Sequence, residues 1–180
     1  MTVREILIHP DERLLQVSRP VVFPLGEEVK ELIRDMVDTM YNAPGVGLAA
    51  PQIGTSLRVA ITDTLWREKE IRHDDSVPGG QRDLKIWINP VFSWKSDEIA
   101  TWEEGCLSVP DTYGDVSRPQ AVRLSWFDEH GVQHEQDFEG FQAVALQHEF
   151  DHLDGKLFID YLSPLRRKMI TKKMKKLYKR

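Results

Sequence analysis

Apolar positions recur at helical spacing over residues 27–43, "EEVKELIRDMVDTMYNA", where Val29, Leu32, Ile33, Met36, Val37 and Met40 share one face. Gly26 precedes this run and Pro44-Gly45 follows it, so the period predicts one amphipathic helix with defined ends. The stretch "GVGLAAPQIG" (45–54) is too rich in small residues and proline for an ordinary strand or helix. "LRVAITD" (57–63) and "LKIWINP" (84–90) read as strands. The polar segment 64–83 between them reads as a surface excursion with a turn at Pro78-Gly79-Gly80. Residues 122–138 predict a β-hairpin around Gly131. A second helix runs through "FQAVALQHEFDHL" (141–153), with Gly155 placed to stop it. Ser163 as N-cap and Pro164 at the first helical position open a final helix. Its Ile170, Met174 and Leu177 form a narrow apolar stripe facing the body. Strand runs together with three helices predict an α+β fold, without internal repeats.

Composition narrows the class. A chain of 180 residues with 41% hydrophobic and 29% charged residues is expected to be one soluble, globular domain with a real core. No run has the length of a membrane span, and "MTVREILIHP" lacks the apolar centre of a signal peptide, so a cytoplasmic location is the expectation. The single cysteine, Cys106, excludes an intrachain disulfide and suits a reducing compartment. Residues 166–180, "RRKMITKKMKKLYKR", carry nine Lys or Arg and no acid, so the net charge of −5 leaves −14 on residues 1–165. The chain therefore divides into an acidic body, 1–165, and a basic helical tail, 166–180, continuous with it. Such a tail suits a polyanion such as RNA, or it is a solvated helix end whose cations complement the macrodipole.

The chemistry concentrates in "QHEFDH" (147–152). On a helix, positions four apart share a face, so His148 and His152 can turn toward one ion. Glu149 lies about 100° round from His148, too far for a natural third ligand but within reach of a water beside that ion. Downstream donors are scarce. No later Glu exists, Phe158 stands where a metzincin would have its last histidine, Asp154 falls on the wrong face, and Asp160 is a weak candidate. His9, His73, His130 and His134 read as ordinary histidines. Upstream, "WEEGCLSVP" (102–110) offers the Cys106 thiolate, which with two imidazoles leaves a fourth coordination position open. Spacing alone does not show that Cys106 meets the helix.

Three stretches, "GVGLAAPQIG", "EGCLS" and "QHEFDHLDGKLF", resemble the peptide deformylase family in content, order and spacing, and the resemblance extends from about residue 5 to 170. It implies antiparallel β-sheets surrounding a central HExxH helix, with N-terminal and C-terminal helices. It also implies removal of the formyl group from N-terminal formylmethionine of nascent polypeptides, with release of formate. By that resemblance Cys106, His148 and His152 hold one divalent metal ion, Fe²⁺ in cells, with Zn²⁺, Ni²⁺ or Co²⁺ able to substitute. Glu149 corresponds to the general acid/base, while Gln52 and the Leu107 backbone N–H donate to the formyl oxygen. Gly47 matches the rim glycine that pairs with substrate backbone, and Val46 lies on the rim opposite the apolar wall of the HExxH helix. Phe141, Val144 and Ala145, at i−7, i−4 and i−3 from His148, continue its face as an apolar wall for methionine. Glu104 and Arg118 resemble an ion pair that orients the ligands from behind.

Two departures stand out. Many bacterial relatives carry an arginine about seven residues after the metal cysteine, where this chain has Tyr113 and Gly114, and the 64–83 segment is longer than in compact members. Expected partners are formylmethionyl nascent peptides and, through the basic helix, the ribosome, with no membrane or DNA. Two other classes compete: an HExxH metallopeptidase with a different third ligand, and a non-catalytic RNA-binding module around a structural metal.

Overall fold

The structure, a computed structural model, describes residues 2–43, 45–67 and 81–178. Among the described residues, one α-helix is followed by seven strands and then two further α-helices, an α+β arrangement. Strands β1 (Gly47–Ala49), β2 (Val59–Thr62), β3 (Lys85–Lys95), β6 (Ala121–Phe127) and β7 (Gln133–Glu139) form an antiparallel sheet in the order β1-β2-β3-β6-β7. Strands β4 (Ile99–Cys106) and β5 (Val109–Pro119) pair as a separate antiparallel hairpin.

Helix α1 (Glu27–Asn42) lays its apolar face on the first of these sheets. Met36 and Met40 pack there with Leu48, Ile61 and Ile88, all fully buried, so the helical period seen in the sequence is the core period. Helix α2 (Gly140–Leu153), the HExxH helix, packs against β1, β2, β5, β6 and β7 and thus lies between the two sheets. Phe150 and Leu153 pack there with Trp87 and Leu124. Helix α3 (Pro164–Leu177) begins where Ser163 accepts a hydrogen bond from the Arg166 N–H. It buries Ile170 and Met174 against Val109, Val116 and Phe158. Leu177 departs from the expected stripe: it is 58% exposed, because the helix has run past the body that covers the other two.

Gly155 ends α2 as anticipated. Its φ of +70° lies in the left-handed region, its N–H reaches the His152 carbonyl at 3.2 Å, and the Lys156 N–H reaches that of Asp151 at 2.8 Å. This is a Schellman closure. A Cβ here would also stand 2.5 Å from the Leu15 carbonyl oxygen.

Other boundaries differ from the expectation. β3 continues past Pro90 to Lys95, because register shifts after Ile88 and Phe92 absorb a residue that cannot donate to the ladder. The β4–β5 hairpin was not legible, since along β4 only Glu104 is buried and no apolar alternation marks the strand. Within 45–54 the chain forms the short β1 and a 3-10 turn, Ala50–Ile53. The Pro78-Gly79-Gly80 turn falls outside the described residues.

Candidate active site

Helix α2 fixes two imidazoles on one face, and the β4–β5 hairpin brings the sulfur to them. The Cys106 Sγ lies 3.3 Å from His152 Nε2. Ligand atoms of Cys106, His148 and His152 all lie within 4.8 Å of one another. A local distortion aims the thiol: Gly105 pairs with Tyr113 but Cys106 pairs with Val109, so three residues bulge out of β5 at this point. Gly105 is needed there, as a Cβ would stand 2.7 Å from the Tyr113 ring.

The surroundings hold each donor in place. His148 Nδ1 meets Glu104 Oε2 at 2.9 Å, which leaves Nε2 for an ion. Arg118 donates to both Glu104 oxygens and, at 2.8 Å, to Asp151 Oδ2. The Tyr161 hydroxyl donates to that same oxygen at 2.9 Å, and its ring lies under the Arg118 guanidinium at 4.8 Å. The Ser108 N–H points at the sulfur at 3.4 Å. Gln52 accepts from the Ala49 N–H at 2.8 Å, and its amide nitrogen donates to Ser108 Oγ at 3.2 Å and to the Cys106 sulfur at 3.5 Å. Ser108, Asp151 and Tyr161 were not singled out by sequence reasoning. Only the place of Asp151 directly before His152 could have flagged it.

Electrostatics follow from burial and pairing. Burial works against a charged Glu104, yet hydrogen bonds from Arg118 and His148 prevail and hold its carboxyl down at about 2. Arg118 is correspondingly held cationic. Burial raises Glu149 to about 7, with the Glu104 charge adding to the rise. His152 is pushed well below its ordinary range by burial and by the neighbouring His148. Burial opposes the charged form of His148 too, but its bonds with Cys106 and Glu104 raise it well above that range, so an ion would displace a proton there.

A cavity of about 750 Å³ opens over this cluster. Val46, Gly47, Phe141, Val144 and Ala145 line it together with Gln52, Cys106, Leu107, His148 and Glu149. Trp102, unnoticed in the sequence, adds to the apolar wall with its ring 5.9 Å from that of Phe141. Gly47 lies flat against Glu149: a Cβ built on it would overlap the carboxylate. One Glu149 oxygen, Oε2, is buried without a hydrogen-bond partner.

These donors suit a divalent ion. With bonds of about 2.3 Å to sulfur and 2.0–2.1 Å to nitrogen, tetrahedral ligands stand roughly 3.5 Å apart, a spacing close to that seen for Cys106 and His152. Asp160 does not join them, because it accepts from the Leu157 N–H at 2.9 Å and pairs with Arg167 at 2.8 Å. Asp154 pairs with Arg58 at 2.7 Å.

A buried HExxH helix between antiparallel sheets, with a thiol facing its imidazoles, defines a metal-dependent hydrolase. The family model for polypeptide deformylase matches residues 3–168. The chain belongs to the peptide deformylase family. It is 45% identical to the peptide deformylase of Novosphingobium aromaticivorans, with 99% of each chain covered. Identity to that of Bradyrhizobium sp. (strain ORS 278) is 46%, over 100% of this chain and 98% of the relative. Among solved structures, a Legionella pneumophila peptide deformylase superposes with a TM-score of 0.82 at 43% identity, covering 98% of this chain and 95% of that one. The Ehrlichia chaffeensis peptide deformylase in complex with actinonin gives 0.86 at 33% identity, with both chains fully covered.

Proposed function

We propose that this chain removes the formyl group from the N-terminal formylmethionine of nascent polypeptides, with Cys106, His148 and His152 holding one divalent ion. The observation that carries this reading is the convergence of one sulfur and two imidazole nitrogens within 4.8 Å under a partly apolar cavity. The ion, Fe²⁺ in cells and replaceable by Zn²⁺, Ni²⁺ or Co²⁺, supplies Lewis acidity and a water acidic enough to attack near neutral pH.

The rest of the chemistry falls to side chains. Glu149, buried beside the cluster with a free carboxylate oxygen, takes the proton of the attacking water. It returns that proton to the amine nitrogen as the C–N bond breaks, so the products are formate and a free N-terminus. The Leu107 N–H and the Gln52 amide donate to the formyl oxygen as charge builds there, an effect worth about 3–4 kcal/mol per donor. Gln52 can do so by exchanging its long 3.5 Å contact to sulfur while its carbonyl stays fixed by the Ala49 N–H. The methionine side chain lies against Phe141, Val144, Ala145 and Val46, all at the cavity. Strand β1 is an edge strand, so Gly47 can pair with the peptide backbone as an added strand would. Glu104 and Arg118 orient His148 from behind.

The charge of the basic tail supports a polyanionic partner. Helix α3 presents exposed Lys168, Lys172, Lys175 and Lys176, a charge that supports a contact to ribosomal RNA by an enzyme working in the cytoplasm beside emerging chains. No helix among the described residues is long and apolar enough to cross a membrane.

The deciding experiment is formate release from formyl-Met peptides under anaerobic conditions with Fe²⁺, for wild type and Glu149→Ala. Turnover by wild type and its loss in the variant, at equal metal content, is the expected outcome. A variant as active as wild type overturns the assignment of Glu149. An inactive wild type at full iron content overturns the deformylase reading.

A further inference from the structure

At the root of the long excursion after β2 stands a buried carboxylate with many partners and no part in the chemistry above. Asp63 is fully buried. Its Oδ2 accepts from the Tyr41 hydroxyl of α1 at 2.6 Å. Its Oδ1 accepts from the Leu65 and Trp66 N–H groups at 3.2 Å and from the Asp83 N–H at 3.1 Å. One side chain thus closes both ends of the excursion onto α1.

The same residue is tied to the cleft. The Asp63 N–H donates to the Val46 carbonyl at 2.8 Å, and the Trp66 indole N–H donates to the Gly45 carbonyl at 3.0 Å. The Trp66 ring stands edge-on to that of Tyr41 at 5.3 Å, and the Arg82 guanidinium covers the Tyr41 ring at 4.3 Å. Gly45, Val46, Gly47 and Arg67 all line the cavity. The rim that receives peptide backbone is small-residue chain: Gly47 is held in the β1–β2 ladder opposite Thr62, and just before it the Gly45 and Val46 carbonyls are each bonded from the base of the excursion. The bond to Val46 comes from the Asp63 main chain, and the bond to Gly45 from the Trp66 indole, whose own N–H the Asp63 carboxylate holds. Burial, aided by Asp63, pushes the Tyr41 hydroxyl up to about 12, so it stays a donor across the physiological range.

We propose that Asp63 is a positioning residue for the peptide beyond formylmethionine: its carboxylate holds Trp66, whose indole bonds the Gly45 carbonyl, and so fixes the rim at residues 45–47, governing substrate binding rather than the chemical step. This rests on the deformylase reading. It assigns the base of the excursion to specificity, since the residues at that base hold the rim and bring Arg67 to the cavity wall. The ion cluster has its own supports, Glu104, Ser108 and Gln52, so loss of the Asp63 bonds leaves it intact.

The test compares formyl-Met tripeptides with formyl-Met amide, which has no backbone beyond the first residue. Trp66→Phe removes the bond to Gly45 and trims the ring against Tyr41, Tyr41→Phe removes the bond to Asp63, and Asp63→Ala removes the carboxylate's bonds to Tyr41, Leu65, Trp66 and Asp83 while keeping the main-chain bond to Val46. One such bond, worth about 0.5–1.5 kcal/mol net, corresponds to a roughly 2–10-fold rise in KM for the tripeptide. The expectation is that rise with unchanged kcat, unchanged metal content and little effect on formyl-Met amide. Equal changes for both substrates, a fall in kcat alone, or no change at all overturns the proposal. If Asp63→Ala does not fold, Trp66→Phe and Tyr41→Phe decide it. Wild-type turnover of the same substrates tests the underlying deformylase reading separately.

Discussion

His148 and Glu104 meet at 2.9 Å through Nδ1 and Oε2, from a helix and from a hairpin that lie 44 residues apart in sequence. Glu104 is itself held by Arg118, and Arg118 by Asp151 and the Tyr161 ring. The imidazole orientation is therefore set by a chain of buried charges rather than by the helix alone.

Removing one link of that chain weakens ion binding. Glu104→Gln is expected to lower metal affinity by about 10–100-fold, the usual effect of losing a partner behind a ligand. Competition with a chromophoric chelator measures it. Affinity equal to wild type would show that His148 needs no support from Glu104.

Glu149→Gln keeps the shape of the side chain and removes its proton transfer. A loss in kcat of about 10²–10⁴-fold is expected, the range for a positioned acid or base. Metal content, measured by elemental analysis, should match wild type, because Glu149 is not among the clustered donors. Loss of the metal in step with activity would instead make it a ligand.

Gly155→Ala meets both a φ of +70° and the Leu15 carbonyl at 2.5 Å. A destabilisation of about 2 kcal/mol or more is expected, a Tm drop of roughly 4–8 °C for a chain of this size. Scanning calorimetry reads it. An unchanged Tm would mean that the turn after α2 relaxes freely.

Truncation of 166–180 is a poor test of RNA binding, since it removes Ile170 and Met174 from the core. It should lower Tm as well as ribosome binding. Replacing exposed Lys172 and Lys176 by Gln should leave Tm unchanged. It should also make ribosome binding less sensitive to salt, the slope falling by about one for each phosphate that a lysine no longer neutralises. Co-sedimentation over a salt series checks this, and an unaltered slope removes those lysines from the interface.

Tyr41 supplies a pH prediction. Its folded value of about 12 stands above the ordinary 10.0, so the folded chain keeps a proton that the unfolded chain gives up. Its contribution to stability is complete below pH 10 and is lost as pH rises toward 12. Tyr41→Phe should therefore be less stable than wild type at neutral pH, with the gap narrowing above pH 10. Urea unfolding across that range measures it, and a gap that widens with pH would contradict the burial of this hydroxyl.

The local signals of the sequence were those whose physics is local. The period of α1, the pairing of His148 with His152, the Ser163-Pro164 start and the Gly155 stop need only a helix and its ends. Resemblance to a family supplied the ligand set and the apolar wall, and the structure gathers those residues around one cavity. Neither source revealed β4 and β5: along β4 only Glu104 is buried, and the alternating buried positions of β5, Gly114, Val116 and Arg118, include a single apolar side chain.

The chain alone determined that two imidazoles would share a face and that an apolar helix would cover a sheet, because periodicity is written in neighbouring residues. Tertiary structure alone decided that Cys106 would turn toward them, through the bulge at residues 110–112 of the facing strand. It likewise decided that Asp151 and Tyr161 would brace Arg118, that Asp63 would meet Tyr41, and that Leu177 would stay in solvent. These are contacts between distant segments, fixed by how sheets and helices pack, and no spacing along the chain encodes them.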